Sequence, residues 1–416
     1  MGYITNEKLT ISHTRNKELK ILLISSVLPK DSTGGEVVLF RHLNQLSEVS
    51  VVMVTDASDS LLDENLVQFT RNPLLNRLSK TRLARWVHDI RQGFHTFDNY
   101  QKVVDYIQSN KPDLIVTVAH GELSWLALDM SDKFNIPLVT FFHDWWPDAA
   151  YIHNWMRGII ESKFQRLYQK SHLALCVSEG MRQSLGNHSN NEILYPIPDL
   201  KQRVDYQKLM GKAHGDIIYS SAGESNGKFQ VIYAGNMSDI YGAMVQDLLP
   251  SALVNNEFKF RLFGPEPDWS NSLVAEVKKQ GIYAGFISRD LLNERLSQAN
   301  ALLVAMSFKA GDKKRMETSF PSKLVEYCKF GKPIIIWGPE YSSAVRWGSA
   351  NQAALLVTSP LGGDLVKAIK KLVRDREKQE YLGHKAWAMA QGMFNPENIQ
   401  RQFAESIERV VANYKL

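Results

Sequence analysis

The sequence predicts a doubly wound α/β fold in two domains, on three observations. The chain has 416 residues, more than a single hydrophobic core usually organises. Short unbroken apolar runs recur along it, as in parallel strands buried on both faces. Helical patterns and polar turns separate most of these runs, and such alternation builds a parallel sheet covered by helices.

The first set opens with KILLISSVL at 20–28, followed by the loop PKDSTGGE and the helical pattern VVLFRHLNQLS. VSVVMVT at 49–55 reads as the next strand. PDLIVTVAH and IPLVTFFHD repeat the strand-then-turn pattern on either side of the amphipathic GELSWLALDMSDKFN. In HLALCVSEGMRQSLG a strand meets Ser178, whose hydroxyl suits a helix cap, and Gly186 suits the left-handed exit. Between Asp199 and Lys228 the periodicity fades, and AHGDIIYSSAGESNGK reads as a linker or surface loop. A second set comes after it: FQVIYAGN, FKFRLFGP, GIYAGFIS, ANALLVAMSF, KPIIIWGP and AALLVTSP, each a short strand ending in a polar or glycine turn. The expected division is a domain over 1–199, a linker over 200–228, a second domain over 229–395, and a final helix over 396–416 packing back toward the first domain.

The hydrophobic and charged fractions, 44% and 22%, exclude a disordered or fibrous chain. A formal charge of +5 fits an anionic small molecule or an acidic membrane surface at least as well as nucleic acid. Cys176 and Cys328, the two cysteines, each sit in an apolar run, which argues against a disulfide framework and for a reducing, cytoplasmic compartment. The opening MGYITNEKLTISHTRNKELK lacks the apolar segment of a signal peptide. Gly2 is placed for myristoylation, but Asn6 stands where Ser or Thr is wanted. No apolar run reaches the roughly 20 residues that span a bilayer, so a membrane would be met from the side.

Four stretches carry chemistry. In TGGE, between a strand and a helix, Gly34 and Gly35 would let the backbone approach a ligand, and a helix start favours an anion; a plain tight turn explains the same residues. In FFHDWWPD, His143 and Asp144 end a strand. Histidine can give or take a proton near neutral pH and a carboxylate can orient it. Adjacent residues on an extended chain point apart, so these two need not pair with each other. The bland alternative is a solvated loop with tryptophans covering the core. AHGE, with His120 and Gly121, ends another strand and either lines the same site or merely neighbours a helix cap.

The third stretch is SFPSKLVEYCKFGKPII at 319–335. Pro321 suits a helix's first turn, Ser319 or Ser322 its cap, and Gly331 its left-handed exit before Pro333. The helix start then offers free N–H groups to phosphate, with Lys323 as a mobile positive charge nearby. Ser322 and Glu326, four apart, share a face, and a carboxylate there can accept two hydroxyl hydrogen bonds, as a ribose offers. A Lys323–Glu326 surface pair is the alternative, worth about half a kcal/mol or less, and it leaves the proline and the Gly-Lys-Pro unexplained.

The fourth is RNPLLNRLSKTRLARWVHDIRQGF at 71–94. Leu74, Leu75, Leu78, Leu83, Trp86 and Ile90 fall on one helical stripe, with Arg71, Arg77, Lys80, Arg82, Arg85 and Arg91 crowding the rest. Such a helix suits an anionic membrane interface; core packing beneath a solvated basic face suits it equally. Zinc spacing, a Walker A loop, a dinucleotide fingerprint and nucleic-acid motifs do not occur.

Together these residues resemble the retaining glycosyltransferases of family four, whose GT-B architecture is two Rossmann-like domains facing across a cleft. The resemblance covers most of the chain from Lys20 onward. It is strongest in GFISRDLLNERLSQANALLVAMSF and PSKLVEYCKFGKPII. It makes the first domain the acceptor side and the second the nucleotide-sugar side. It implies that Glu326 binds the nucleotide ribose, Gly34 and Gly35 lie near the donor diphosphate, and His143 stands beside the transferred sugar. The family's Arg and Lys after the first strand of the second domain are replaced here by YAGNMSDIYG, with Asn236 and Tyr241 near those places. Lys323, or Arg315 in GDKKRMETSF, is left to hold the phosphates. Glu317 stands nine positions before Glu326 where the family has eight, and Thr318 takes the in-register position.

The resemblance implies transfer of a sugar, with retention, from a nucleotide diphosphate sugar to a glycan or lipid-linked acceptor, with no metal and no further cofactor. The leaving diphosphate would be stabilised by helix starts and basic side chains. The expected location is cytoplasmic, peripheral at the inner face of a membrane. Two rivals share the architecture: a nucleotide-sugar 2-epimerase, and a non-catalytic sugar-nucleotide-binding subunit.

Overall fold

The computed structural model describes residues 18–27, 29, 34–46, 48–55, 66–68, 73–94, 100–149, 152–198 and 228–414. Nearly all of the segment expected as a linker, 200–228, therefore lies outside the described residues. The chain divides into two compact units, Met1–Ile197 with Glu397–Leu416, and Pro198–Pro396.

In the first unit the strands are β1 (Leu19–Ile24), β2 (Val49–Thr55), β3 (Leu66–Gln68), β4 (Leu114–Val118), β5 (Leu138–Phe142), β6 (Leu173–Cys176) and β7 (Asn191–Ile193). They form one parallel sheet in the order β3-β2-β1-β4-β5-β6-β7. Both faces are covered, which is why the runs are apolar without alternation. Leu22, Ile24, Ile115, Leu138 and Phe142 enter one core cluster, while Ile21, Leu23, Leu114, Val116 and Phe141 enter the other. The helix Pro396–Tyr414 closes the second cluster with Phe403, Ile407 and Val411, and Gln400 Nε2 donates to the His42 carbonyl at 3.0 Å.

The second unit holds β8 (Phe229–Ala234), β9 (Phe258–Phe263), β10 (Ala301–Ala305), β11 (Ile334–Trp337) and β12 (Leu355–Val357). These pair in parallel in the order β12-β11-β10-β8-β9. Each sheet has one place where chain order reverses: between β1 and β4 in the first, between β8 and β10 in the second. Loops diverge at the carboxyl ends there and leave a crevice for ligands.

Several local expectations hold. Ser178 Oγ accepts the Met181 N–H at 2.9 Å, and the helix Glu179–Leu185 exits through Gly186 at φ 87°. Cys176 and Cys328 are free and buried. Three expectations are corrected. GIYAGFIS is not a strand: Tyr283 makes an isolated bridge to Leu262, and Gly281 and Gly285, both at positive φ, turn the chain on either side. GELSWLALDMSDKFN forms the helix Gly121–Phe134, but it is buried almost all round, Glu122 included, instead of showing a wet face. The 71–94 stretch is two helices, Pro73–Leu78 and Ala84–Gly93, because Thr81 Oγ1 accepts the Leu83 N–H and reorients the chain between them.

Candidate active site

Both reversal points carry residues singled out from the sequence. In the first unit Gly34 and Gly35 open the helix Gly34–Leu43, while Thr33 and the loop before it lie outside the described residues. His120 and Gly121 come after β4, and His143 and Asp144 after β5. Gly121 is at φ +67°, and the Ser26 hydroxyl, just beyond β1, reaches the His120 carbonyl at 3.4 Å. The fold thus gathers His120, His143 and Asp144 at one sheet edge.

Asp144 turns to His120 and not to its neighbour in sequence: Asp144 Oδ2 is 3.8 Å from His120 Nε2. That separation exceeds a hydrogen bond, and His120 Nε2 is buried without a partner among the described residues. A ligand hydroxyl between the two could bond both. The Trp146 ring stacks on His120, centroids 4.5 Å apart and planes 19° apart. His143 lies edge-on to Phe141 at 5.5 Å.

Burial holds these imidazoles neutral. Desolvation, then the charge of His120, pulls His143 down to about 4, against the opposing pull of Asp144. Desolvation likewise lowers His120, with Asp144 opposing it. A third ring, His42, was not anticipated: burial and then His143 bring it down to about 3. It projects from the helix after β1 and packs against Phe141 and Phe403. Its position in the apolar-flanked LFRHLN gives no chemical signal, so only the fold could reveal it.

In the second unit the helix Ser322–Cys328 sits beside the end of β8. Tyr327 fixes it there: its hydroxyl accepts the Ala234 N–H at 3.1 Å and lies 3.3 Å from the Ala234 carbonyl. One turn earlier, Lys323 points the same way. Its Nζ donates to Tyr233 Oη at 3.3 Å and lies over the Tyr233 and Tyr241 rings, 4.5 and 5.7 Å from their centroids. Tyr233 Oη in turn donates to the Asn236 carbonyl at 2.8 Å. Gly235, at φ +148°, has a backbone conformation that other residues rarely adopt, and a Cβ on it would meet Lys323 Nζ at 1.8 Å and push that end aside. Burial pulls the Lys323 ammonium down to about 8, and it makes no ion pair among the described residues.

Three sequence expectations in this helix, and the alternative to them, are revised. Lys323 is not a mobile surface charge but a lodged one. Glu326 pairs with Lys329 at 2.9 Å, not with Lys323, because Lys323 has turned toward β8. No serine caps the helix: Pro321 is the N-cap residue without a side-chain cap, Ser322 is exposed, and the Ser319 carbonyl accepts the Ser343 hydroxyl. With seven residues the helix has little dipole, so the positive charge at this edge comes chiefly from Lys323.

Of the remaining candidates, Asn236 uses its Oδ1 to accept the Ser238 N–H at 2.9 Å. Arg315 and Glu317 lie on the short helix Lys313–Thr318, both half-buried. Glu317 Oε1 is 3.9 Å from Lys313 Nζ. Thr318, the in-register residue, is fully buried and gives its hydroxyl to the Lys314 carbonyl at 2.8 Å. Glu317 is therefore the more accessible of the two. Among the described residues no group of three or more His, Cys, Asp and Glu side chains could hold a metal ion. A pocket of about 230 Å³ lined by Asp113, Asn135 and Tyr414 lies at the opposite end of β4 and β5 from His120.

Residues 32–197 match the family model Glycosyltransferase Family 4. Among curated proteins, none matches the chain's sequence. Solved structures do match in fold. HepE of Anabaena in complex with UDP gives a TM-score of 0.65 over 94% of this chain and 100% of its own, at 18% identity. A glycosyltransferase from Rickettsia africae gives 0.64 over 96% and 100%, at 15% identity. The α,α-trehalose 6-phosphate synthase of Burkholderia multivorans gives 0.57 over 96% and 98%, at 12% identity. The fold is that of GT-B proteins, two Rossmann-like units. Over 32–197 the likeness to glycosyltransferases therefore extends from fold to sequence.

Proposed function

We propose that this protein transfers a sugar, with retention, from a nucleotide diphosphate sugar to a glycan or lipid-linked acceptor. The observation that carries the reading is Lys323. A desolvated ammonium without a counter-ion is costly, and such a group is kept where an anion completes it. It stands at the turn after β8, where the resemblance places the diphosphate, and so takes over from the missing Arg and Lys.

In this reading Glu326 accepts the ribose hydroxyls, its bond to Lys329 holding it in place. Ser319, Ser322, Asn236 and Arg315 surround the donor, and Glu317 faces the sugar. Gly34 and Gly35 let the backbone approach the diphosphate. In the first unit, neutral His143 and the His120–Asp144 pair bind sugar and acceptor hydroxyls. The departing diphosphate, charge-stabilised by Lys323, takes the acceptor proton. No metal or further cofactor enters this scheme. HepE has been crystallised with UDP and with UDP-glucose, which makes uridine donors the first to test. Calorimetry should detect binding of uridine, guanosine or adenosine diphosphate; no binding of any would sink the proposal.

The reading extends to a membrane. Helix Ala84–Gly93 buries Val87, Asp89 and Gly93 and leaves Leu83, Trp86, Ile90 and Phe94 on its outer side. Trp86 is 49% exposed and lies tilted 5.7 Å from Trp155, 51% exposed, with Ile159 one turn further on. Arginines 82, 85 and 91 flank this stripe. Trp, Leu and Arg in this arrangement suit an anionic lipid surface, and the two free thiols suit the cytoplasmic side. Co-sedimentation with anionic liposomes should drop when Arg82 and Arg85 are neutralised; unchanged sedimentation removes this part.

A further inference from the structure

The helix Ala84–Gly93 touches the His120 edge through Gln92. Gln92 Oε1 accepts the indole N–H of Trp146 at 2.9 Å, and the Gln92 carbonyl accepts that of Trp125 at 2.8 Å. Trp146 is the ring stacked on His120. The amide also occupies the space that Gly121 leaves open, where a Cβ would meet Gln92 Oε1 at 2.9 Å.

The helix that carries Gln92 is pinned on its inner side. At Gly93 a Cβ would lie 2.2 Å from Met156 Cε, so the glycine admits a fully buried methionine. Buried Asp89 accepts the His153 N–H at 3.1 Å and holds the His153 ring nitrogen at 2.6 Å. The Gln92 amide therefore stands at a fixed place, and the Trp146 indole is oriented from outside its own loop.

We infer that Gln92 is a positioning residue: it holds the Trp146 indole flat against His120, so that the imidazole stays aimed at Asp144 with one face shielded from water. Its catalytic consequence rests on the reading of His120 and Asp144 as ligand-facing groups, but its test needs neither donor nor acceptor. Losing the acceptor leaves a half-buried indole N–H unsatisfied, which favours rotation of the ring away from His120. The titratable groups around His120 are Asp144 and His143, and neither is altered by changing Gln92.

The test uses NMR of the full-length protein with labelled histidine and tryptophan. In Gln92→Met, similar in length but lacking an acceptor, the Trp146 indole N–H resonance should move toward the position of a free indole. His120 should titrate at higher pH than in the wild type, because water regains one face of the ring. Trp146→Phe should give the same His120 shift, and adding Gln92→Met to it should shift His120 no further. Gln92→Glu, which keeps an acceptor oxygen, should retain the wild-type indole resonance. Should Gln92→Met fail to fold, Gln92→Asn withdraws the acceptor by one methylene and gives the same comparison. The inference is overturned if both signals stay at their wild-type positions, or if the His120 shift is equally large with and without Trp146. Absence of nucleotide binding counts against the transfer reading alone.

Discussion

The edge beside β4 and the edge beside β8 occupy the same topological position and differ in charge. Beside β4 the ionisable groups are imidazoles held neutral by burial, with Asp144 the nearby carboxylate. Beside β8 the dominant group is a cation, Lys323, kept between two tyrosine rings. One fold can therefore present a neutral edge and a cationic edge merely through the side chains gathered at its strand ends. The chemistry of sugar transfer needs both kinds, one for polyhydroxyl groups and one for a leaving diphosphate.

The comparison is broken most severely at Gly235. A Cβ there overlaps the Lys323 ammonium, and at φ +148° a side chain is strained in any case. Gly235→Ala should weaken diphosphate binding by about 3 kcal/mol or more, the upper range for losing a charged hydrogen bond with added strain. Lys323→Met comes next, with about 1.5–3 kcal/mol of diphosphate affinity lost by calorimetry. Its melting temperature should hold or rise, because a half-buried, desolvated charge is gone. A lower melting temperature with affinity intact would make the cation structural.

Smaller effects sharpen the contrast through pH. Lys323 is lowered to about 8 from an ordinary 10.5. Above pH 8 the free protein loses this charge, so diphosphate affinity should fall. Stability should move the other way between about 8 and 10.5, where the unfolded chain binds the extra proton. Lys323→Met should flatten both profiles. At the other edge, His42, His120 and His143 are lowered from 6.5, two of them to about 3 and about 4. Their contribution to stability is complete above pH 6.5 and declines as pH falls toward those values, by about 1.4 kcal/mol per unit for each titrating ring. Urea denaturation of His42→Asn against wild type across pH 4–7 checks this: the variant should show the shallower slope. The least effect is expected of Glu326→Ala, about 1 kcal/mol of nucleotide affinity, since a ribose contact is one among several. Unchanged affinity would remove its ribose role.

Much of this was legible from residue order. The strands were, because burial on both faces leaves a run such as LIVTV no polar alternative. The strand-end places of His143 and His120 were, because a polar residue ending an apolar run stands where a strand meets its loop. Other features were not. The turn at Thr81 split one apparent stripe into two helices and left its tryptophan outside. Ser319 and Ser322 looked like caps, but the helix begins at Ser322 with Pro321, between the two, at the cap position. Lys323 read as a mobile charge near a helix start, with an i,i+3 surface pair as the alternative, until Tyr233, 90 positions away, claimed its ammonium.

By itself the sequence determined the alternation of strands and helices, the division into two sheets, and which residue types stand at strand ends. These depend on periodicity and local propensity, which act between near neighbours. Only the tertiary structure decided which groups are charged, which are buried and which share an edge: His42 beside His143, Trp146 on His120, Lys323 against Gly235. Those outcomes arise from desolvation and from contacts between segments tens of residues apart. Pairings of that kind are set by strand order in the sheet, which the apolar runs do not encode individually.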